Sequence, residues 1–489
     1  MLEFKTSAGN TYAWIDDIGI FIPTNPILSA IIRETCNQNQ TSKIDEIEKL
    51  KKDFDEKEVE YYYELAKKYK KIRTTLKEKL EYATNRQFNE PILIKSILKN
   101  GIAQLILDVT EDCNFRCSYC IFSGNYVHYR SHSKRYMSFD VAKKAIDYYF
   151  SLIKAGKRYN PLRQPKITFY GGEPLLNFKL IKECIEYIDE TYKCYKISNY
   201  LTTNGSLLDI EKAEWLIKHN CHILVSICGP KEEHDRLRVY RNGKGTFEDI
   251  MKNIKPIMAN YPSNVGSIAI YDFKSDLFKL EEFFNRPEVP ALILASPVTE
   301  LEGCKYFEQF SETDILLFNK QMQRAQNYYV NNFNDREKNT RASLFDIIFG
   351  RGFVSTVTGP ESLLLNDPLI PYSGSCIPGQ KLFVDVDGNL HICERVNRNF
   401  SIGNVAEGLN FEKIGKILYN YNQRLDKCST CNMIKMCERC FATLFEGKDI
   451  VYTSKSCINE ELNNIRWLAN VFTFAETNPK IVENEFGGE

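Results

Sequence analysis

Three cysteines in one short stretch, DCNFRCSYC, are the residues of this chain best suited to metal or redox chemistry. Cys113, Cys117 and Cys120 have a C-x3-C-x2-C spacing and follow an apolar run that predicts a buried strand. Closely spaced cysteine thiolates are typical ligands of iron–sulfur clusters. Three thiolates would bind three irons of a [4Fe–4S] cube and leave the fourth iron open to another ligand. A zinc site would need a fourth ligand, and the nearest candidates, His128 and His132, lie in a polar loop.

A second cysteine-rich region begins at Cys376 and ends at Cys457. Between these residues lie Cys393 and a C-x2-C-x5-C-x2-C set formed by Cys428, Cys431, Cys437 and Cys440. Clustered cysteines in a long chain favour metal ligation over disulfides, and a two-zinc ribbon is the alternative to iron–sulfur ligation. The cysteines that fit no cluster spacing are predicted to be structural: Cys36, Cys184, Cys194, Cys221 and Cys304.

The first cysteine loop lies in a region, 101–335, where strand-like and helix-like patterns alternate. The predicted strands are 104–110, 166–170, 199–203, 222–227, 266–271 and 291–295. Each strand precedes a helical pattern, and Ser138 is placed to cap the first of these helices. Six such units predict an α/β fold with a parallel sheet, closed or partly closed as a TIM-type (β/α)6 barrel. Chemistry in such folds lies at the C-terminal ends of the strands.

Three more motifs follow the next three predicted strands. They are GGEP at 171–174, TTNG at 202–205 and SICGP at 226–230. Consecutive glycines let the backbone approach a ligand closely, although GGEP alone would also suit a tight turn. In this order, after a C-x3-C-x2-C loop, the motifs resemble those of the radical S-adenosylmethionine (SAM) superfamily. The resemblance covers roughly residues 100–300.

The resemblance implies a [4Fe–4S] cluster on the first three cysteines, with SAM chelating the open iron. Reductive cleavage of SAM would give a 5′-deoxyadenosyl radical that takes a hydrogen atom from a substrate. The expected SAM contacts are Gly171, Gly172 and Glu173 for the amino group, Thr202 and Ser226 for the ribose or carboxylate, Arg238 for the carboxylate and Tyr119 near the adenine. Cys228 departs from many relatives, which have an aspartate there. A small buried side chain is the favoured interpretation of this thiol over a reactive role.

Residues 376–460 resemble the SPASM extension of radical SAM enzymes, which carries two auxiliary [4Fe–4S] clusters. The resemblance implies Cys376, Cys393 and Cys440 as ligands of the first. The second would be held by Cys428, Cys431, Cys437 and Cys457. The first cluster would then be one ligand short, so its open iron could bind a substrate thiolate or a non-cysteine side chain. Glu394 lies where some SPASM relatives have an acid that can serve as a base, and a solvated loop charge is the alternative.

Residues 1–72 predict a separate module in which strand-like pieces precede three helical patterns. Asn25 and Asp55 are placed to cap the first and third helices. The order resembles the winged-helix-like precursor-recognition domain of ribosomal-peptide maturases, which binds a leader peptide by strand addition. A capping subdomain that only packs on the enzyme fits the pattern equally well. Elsewhere we expect a connector at 73–100, a bridge at 336–375 and a C-terminal helix and tail at 461–489.

Composition excludes several partners. Lys+Arg and Asp+Glu are balanced at 64 each, which argues against nucleic-acid or membrane binding. No apolar run reaches the roughly 18 residues of a membrane span, and the N-terminus lacks a secretory pattern, so a cytoplasmic location is expected.

These observations predict a radical SAM oxidoreductase with three [4Fe–4S] clusters that acts on a ribosomally synthesised precursor peptide. Its expected electron donor is a flavodoxin or ferredoxin. The preferred product is an intramolecular thioether between a cysteine sulfur and a carbon. The alternatives are a carbon–carbon cross-linking or epimerising maturase, an anaerobic sulfatase maturase that forms formylglycine, and a non-catalytic iron–sulfur electron-transfer protein.

Overall fold

The computed structural model describes most of the chain. The described residues are 2–15, 20–36, 43–68, 71, 88–126, 129–301, 304–333, 342–358, 376, 378–423, 440, 442, 445–446, 449–450 and 455–479. Among them, no helix has both the length and the apolar character that crossing a bilayer requires.

The N-terminal module is an antiparallel sheet followed by helices, in the predicted order. Strands β1 (Leu2–Lys5), β2 (Thr11–Ile15) and β3 (Ile20–Thr24) lie side by side in that order. Helices α1 (Pro26–Cys36), α2 (Lys43–Asp53) and α3 (56–68) follow. Asn25 and Asp55 cap α1 and α3 as predicted, accepting hydrogen bonds from first-turn amides. The apolar faces of the helices cover one face of the sheet.

The central region is a sheet of six parallel strands in sequential order, as predicted. The strands are β4 (Gln104–Asp108), β5 (Lys166–Tyr170), β6 (Ser198–Thr203), β7 (Cys221–Ser226), β8 (Val265–Tyr271) and β9 (Ala291–Pro297). The helices around them are α4 (Glu90–Asn100), α5 (Phe139–Gly156), α6 (Phe178–Thr191), α7 (Ile210–Lys218), α8 (Lys231–Leu237), α9 (Phe247–Asn260), α10 (Leu277–Phe284), α11 (Glu312–Asn331) and α12 (Arg351–Thr358). Ser138 caps α5 and Ser311 caps α11. Helix α4 lies within the predicted connector.

Side chains alternate between the two faces of this sheet. On β6 and β7, Leu201, Thr203, Ile223 and Val225 are buried, whereas the alternate residues, Thr202 and Ser226 among them, are half-buried. The period of two follows from strand geometry. Thr202 and Ser226 therefore share one face of the sheet, near the C-terminal ends of neighbouring strands.

The cysteine-rich C-terminal region contributes four more strands to the same sheet. Strand β10 (Lys381–Val384) pairs in parallel with β4, and β11 (Asn389–His391), β12 (Ser401–Asn404) and β13 (Gly408–Leu409) continue from it. The sequence did not predict this continuity. A barrel that ends at β4 would leave that strand with an unpaired edge, and β10 satisfies its backbone groups. Helix α13 (Phe411–Asn422) and a short hairpin, β14 (Phe445–Glu446) and β15 (Asp449–Ile450), follow.

The last helix ties the C-terminal region to the N-terminal module. Helix α14 (Lys455–Thr477) begins before the predicted boundary at 461 and includes Cys457. Its Phe472 ring packs against the rings of Phe4, Tyr12 and Phe21, on the face of the small sheet that α1–α3 leave open. Glu476 accepts hydrogen bonds from Tyr12 Oη and Asn10 Nδ2, each at 2.9 Å. Both faces of the small sheet are therefore packed.

Candidate active site

The three-cysteine loop follows the C-terminal end of β4, and its thiols point into the protein. Cys113 and Cys117 are each 7% exposed, and Cys120 is half-buried. The backbone N–H of Phe115 donates to Cys113 Sγ at 3.4 Å, and that of Phe122 donates to Cys120 Sγ at 3.4 Å. Hydrogen bonds to sulfur are one of the means by which proteins tune iron–sulfur clusters. The donor set and its surroundings therefore fit a cluster.

The GGEP loop after β5 lies directly against the start of the cysteine loop. The amides of Gly172 and Glu173 donate to the carbonyls of Thr110 and Asp112, at 2.7 and 2.8 Å. A Cβ atom at Gly171 would lie 2.4 Å from Thr110 O, and one at Gly172 would lie 2.2 Å from Asp112 O. Both glycines are required because two stretches of backbone meet here without room for a side chain.

Glu173 joins the GGEP loop to the TTNG loop. Its side chain is 0% exposed. One carboxylate oxygen accepts from Leu175 N at 3.0 Å and Thr203 Oγ1 at 2.7 Å, and the other accepts from Asn204 N at 2.7 Å. Burial raises the pKa of Glu173, and these hydrogen bonds oppose the rise. The predicted contact of this carboxylate with the SAM amino group stays a prediction; in the structure it fixes two loops.

Asn204 connects the TTNG loop to the cysteine loop. The sequence analysis did not predict this role. Its side-chain amide donates to Asn114 Oδ1 at 2.9 Å and lies 4.0 Å from Cys113 Sγ. Thr203 faces Glu173, whereas the predicted SAM ligand Thr202 points to the opposite side of β6 with Ser226. The TTNG motif marked this loop but not which of its residues would lock it.

Arg238, Tyr119 and Cys228 come together on the other side of the cysteine loop. The Arg238 guanidinium, at the end of α8, donates to the phenol oxygen of Tyr119. Burial raises the pKa of Tyr119, so the phenol stays neutral beside the charged arginine. Tyr119 Oη lies 3.9 Å from Cys228 Sγ. Cys228 is 1% exposed in an apolar cluster with Leu237 and Tyr306. This agrees with the prediction of a small buried side chain.

Two arginines that the sequence analysis did not single out hold the backbone of the loop. Arg116 Nη1 donates to Cys113 O at 2.8 Å, and Arg241 Nε and Nη2 donate to the same oxygen at 2.9 and 2.6 Å. Arg241 also pairs with Asp112. No spacing or motif in the sequence marks these residues.

The three cysteines predicted for the first auxiliary cluster are all among the described residues. Cys376, Cys393 and Cys440 are all half-buried, and Cys440 is close enough to the other two to interact electrostatically with both. Burial raises the pKa of the Cys393 thiol to about 12. Cys428, Cys431 and Cys437 lie outside the described residues. Cys457 lies on α14, and its side chain is not among those described.

Glu394 follows Cys393 and faces the end of β5. Its Oε2 atom is buried and accepts no hydrogen bond from the side chains and backbone that the structure describes. Burial raises the pKa of the Tyr170 phenol, and the nearby Glu394 carboxylate raises it further. In the described part of the chain, no group of three or more His, Cys, Asp or Glu side chains is arranged to hold a single metal ion.

The partial parallel barrel, with a three-cysteine loop after its first strand and a glycine loop after its second, agrees with the radical SAM fold. Residues 107–274 match the radical SAM superfamily, and this part of the chain is a radical SAM domain. The predicted resemblance to the radical SAM superfamily is thereby confirmed for this part of the chain. A domain of this superfamily implies a [4Fe–4S] cluster and SAM. Cys113, Cys117 and Cys120 would hold the cluster.

Characterised relatives match only part of the chain. The serine-type anaerobic sulfatase-maturating enzyme of Bacteroides thetaiotaomicron is 32% identical over 173 residues, which are 35% of this chain and 40% of that protein. The radical SAM cyclopropyl synthase TigE of Paramaledivibacter caminithermalis is 24% identical over 225 residues, 44% of this chain and 45% of that protein. The chain thus spans less than half the length of these two relatives.

A solved structure extends the likeness in fold. Native anSMEcpe with bound AdoMet (SAM) and Cp18Cys peptide superposes with a TM-score of 0.55 at 19% identity, covering 78% of this chain and 99% of that one. At this identity the likeness shows the fold alone. The predicted α/β radical SAM fold, with its mostly parallel central sheet, is confirmed.

Proposed function

We propose that this protein is a radical SAM maturase of a ribosomally synthesised precursor peptide, and that it joins a cysteine sulfur to a carbon of the same peptide. The radical SAM domain supplies the class of chemistry. Both characterised relatives described above are radical or maturation enzymes, one acting on sulfatases and one forming cyclopropyl groups, by their names. The peptide substrate and the thioether are our proposal for this chain.

The observation that best supports the proposal is that Cys440 lies near both Cys376 and Cys393. These residues are far apart in sequence, and Cys393 is brought to the site because β10 and β11 extend the barrel sheet from β4. Three thiols would hold three irons of an auxiliary [4Fe–4S] cluster and leave the fourth iron open to another ligand.

The chemistry balances if the auxiliary cluster accepts one electron. The radical SAM cluster with SAM supplies a 5′-deoxyadenosyl radical when it receives an electron from a donor of the flavodoxin or ferredoxin class. The substrate then loses one hydrogen atom from carbon and one proton from its thiol, and a carbon–sulfur bond forms. The hydrogen atom would end in 5′-deoxyadenosine, and an auxiliary cluster held by Cys376, Cys393 and Cys440 would take up the remaining electron. Glu394 is the candidate acceptor of the thiol proton, because its buried Oε2 lies beside this site.

The N-terminal sheet is the proposed binding site for the leader part of the precursor. Within the described residues, β3 pairs with β2 on one side and with no strand on the other. Such an edge offers backbone donors and acceptors to an added strand. Helix α14 connects this sheet to Cys457, the proposed ligand of the second auxiliary cluster. Cys428, Cys431 and Cys437 complete that proposed ligand set.

Anaerobic incubation with a cysteine-containing peptide encoded next to this gene tests the proposal. The reconstituted protein, SAM and dithionite should lower the peptide mass by two hydrogens per link, and the linked cysteine should no longer react with iodoacetamide. A chain with Cys113→Ala should leave the peptide unchanged. An unchanged mass with an inverted residue would replace cross-linking by epimerisation. A mass loss with all thiols still alkylated would point to a carbon–carbon link.

A second candidate, formylglycine formation on a sulfatase, is favoured by the coverage of the anSMEcpe fold. The likeness covers 99% of that chain and 78% of this one. A sulfatase-derived peptide with a target Cys or Ser separates the two functions. Only formylglycine formation would make the peptide react with an aldehyde reagent.

A further inference from the structure

The segment that follows the first cysteine loop reaches across to the second cysteine group. Arg130 comes ten residues after Cys120 and is 2% exposed. Its Nη1 atom donates to the backbone carbonyl of Glu394 at 2.7 Å. Glu394 is the residue directly after the proposed ligand Cys393. The arginine therefore fixes the backbone next to a proposed auxiliary-cluster ligand.

An aromatic ring and a buried carboxylate hold the guanidinium of Arg130 in position. The guanidinium lies over the Phe383 ring of β10, with its Cζ atom 3.9 Å from the ring centroid. Arg130 Nε is 3.8 Å from Oδ2 of Asp108, which is 0% exposed at the end of β4. Nε and Nη2 of Arg130 and both oxygens of Asp108 have no hydrogen-bond partner in the part of the chain described. A buried charge is stabilised by its partner and its surroundings, and loss of one partner is costly.

The neighbouring residue makes a parallel contact. Tyr129 Oη donates to the backbone carbonyl of Ala442 at 3.2 Å, and Ala442 is two residues after the proposed ligand Cys440. On the other side of the loop, Tyr126 Oη donates to Tyr119 O at 2.8 Å, beside Cys120, and its ring packs edge-on against that of Tyr129. Two consecutive residues thus bind carbonyls next to two cysteines that are far apart in sequence.

We propose that Tyr129 and Arg130 are positioning residues that fix the first auxiliary cluster relative to the radical SAM loop, and that the Arg130 charge raises the reduction potential of that cluster. This inference rests on the auxiliary cluster of the proposed function. A buried cation favours the reduced cluster, which carries more negative charge. The two hydrogen bonds set where Cys393 and Cys440 place their thiolates.

The test uses the full chain with Cys113→Ala, Cys117→Ala and Cys120→Ala, so that only auxiliary clusters remain. The electron paramagnetic resonance (EPR) signal that Cys393→Ala removes from the reduced protein identifies the first auxiliary cluster. In this background, Arg130→Met should shift its potential to more negative values and broaden the signal. Tyr129→Phe, which removes only a hydroxyl, should broaden the signal with little change in potential. Arg158→Met removes an exposed arginine at the end of α5 and should change neither.

A paired variant keeps the test valid if Arg130→Met folds poorly. Asp108→Asn with Arg130→Met removes both charges, so no unpaired carboxylate is left buried. It should keep the broadened signal, while the shift in potential becomes smaller. Wild-type signals and potentials in all Tyr129 and Arg130 variants would overturn the inference while leaving the cluster in place. Absence of iron from the triple-alanine chain would instead overturn the auxiliary cluster itself, and the inference with it.

Discussion

Replacing Gly172 with alanine tests the close approach of the GGEP loop to the cysteine loop. The new Cβ would lie 2.2 Å from Asp112 O and 2.6 Å from Asp112 C, against 3.4 Å at the start of ordinary contact. Since these atoms are backbone, no side chain can rotate away, and the loops must separate by about 1 Å. That movement lengthens the hydrogen bonds from Gly172 N to Thr110 O and from Glu173 N to Asp112 O. A displacement of this size at a reacting centre costs on the order of 100-fold in rate.

The assay for Gly172→Ala is anaerobic formation of 5′-deoxyadenosine from SAM, with iron content and SAM affinity measured on the same samples. Gly243→Ala is the control, because Gly243 lies in an exposed turn with no atom within 4 Å of the added Cβ, although its φ of +81° makes alanine strained. We expect the control to keep most of the activity. Wild-type formation of 5′-deoxyadenosine by Gly172→Ala would refute the argument that the two loops must touch.

Three further predictions follow from other contacts. Glu173→Gln places the side-chain NH2 group against the N–H of Asn204, so a charge-assisted hydrogen bond of about 1.5–3 kcal/mol is lost. SAM cleavage should therefore fall roughly 10- to 100-fold. An unchanged rate would show that the hydrogen bond between Glu173 and Asn204 is dispensable. Phe472→Ala should loosen the N-terminal sheet by about 2–3 kcal/mol and speed hydrogen exchange in β1–β3, whereas Tyr419→Ala, on the exposed side of α13, should not. Burial, followed by Arg238, lowers the pKa of His234 to about 3. The unfolded imidazole binds its proton near pH 6.5, so stability should be full above pH 6.5 and fall as the pH drops toward 3. A thermal unfolding series should show a weaker pH dependence for His234→Gln, and an identical slope would contradict this assignment.

The sequence predicted the barrel closely because its signals are local. The six strand predictions agree with the observed strands, with ends that differ by up to two residues, and the caps Asn25, Asp55 and Ser138 form as expected. Alternating burial on strands and hydroxyl or amide caps on helices are properties of neighbouring residues. They need no knowledge of distant contacts.

The long-range contacts could not be predicted from the sequence. The pairing of β10 with β4 joins residues almost three hundred positions apart, and no local pattern marks either strand as the other's neighbour. The packing of α14 on the N-terminal sheet was likewise not predicted. From the sequence, Phe472 is only an apolar residue of a helix and Trp14 only an apolar residue of a strand.

The candidate site was also predicted only in part. The motifs marked the loops, since GGEP and TTNG lie at strand ends where glycine and small polar residues are needed. Within those loops, the sequence did not predict that Glu173 would bind Thr203 and Asn204, or that Arg116 and Arg241 would share the carbonyl of Cys113. Which polar group a side chain reaches depends on how four loops are placed in space.

Transfer of deuterium from the peptide to 5′-deoxyadenosine is the most direct test of the proposed function. The precursor is made with deuterium on the carbons of its non-cysteine residues and incubated anaerobically with the reconstituted protein, SAM and reductant. Direct hydrogen abstraction from the peptide predicts 5′-deoxyadenosine that carries one deuterium, formed together with a peptide that has lost one deuterium and one thiol hydrogen. A cross-linked peptide accompanied only by unlabelled 5′-deoxyadenosine would contradict it.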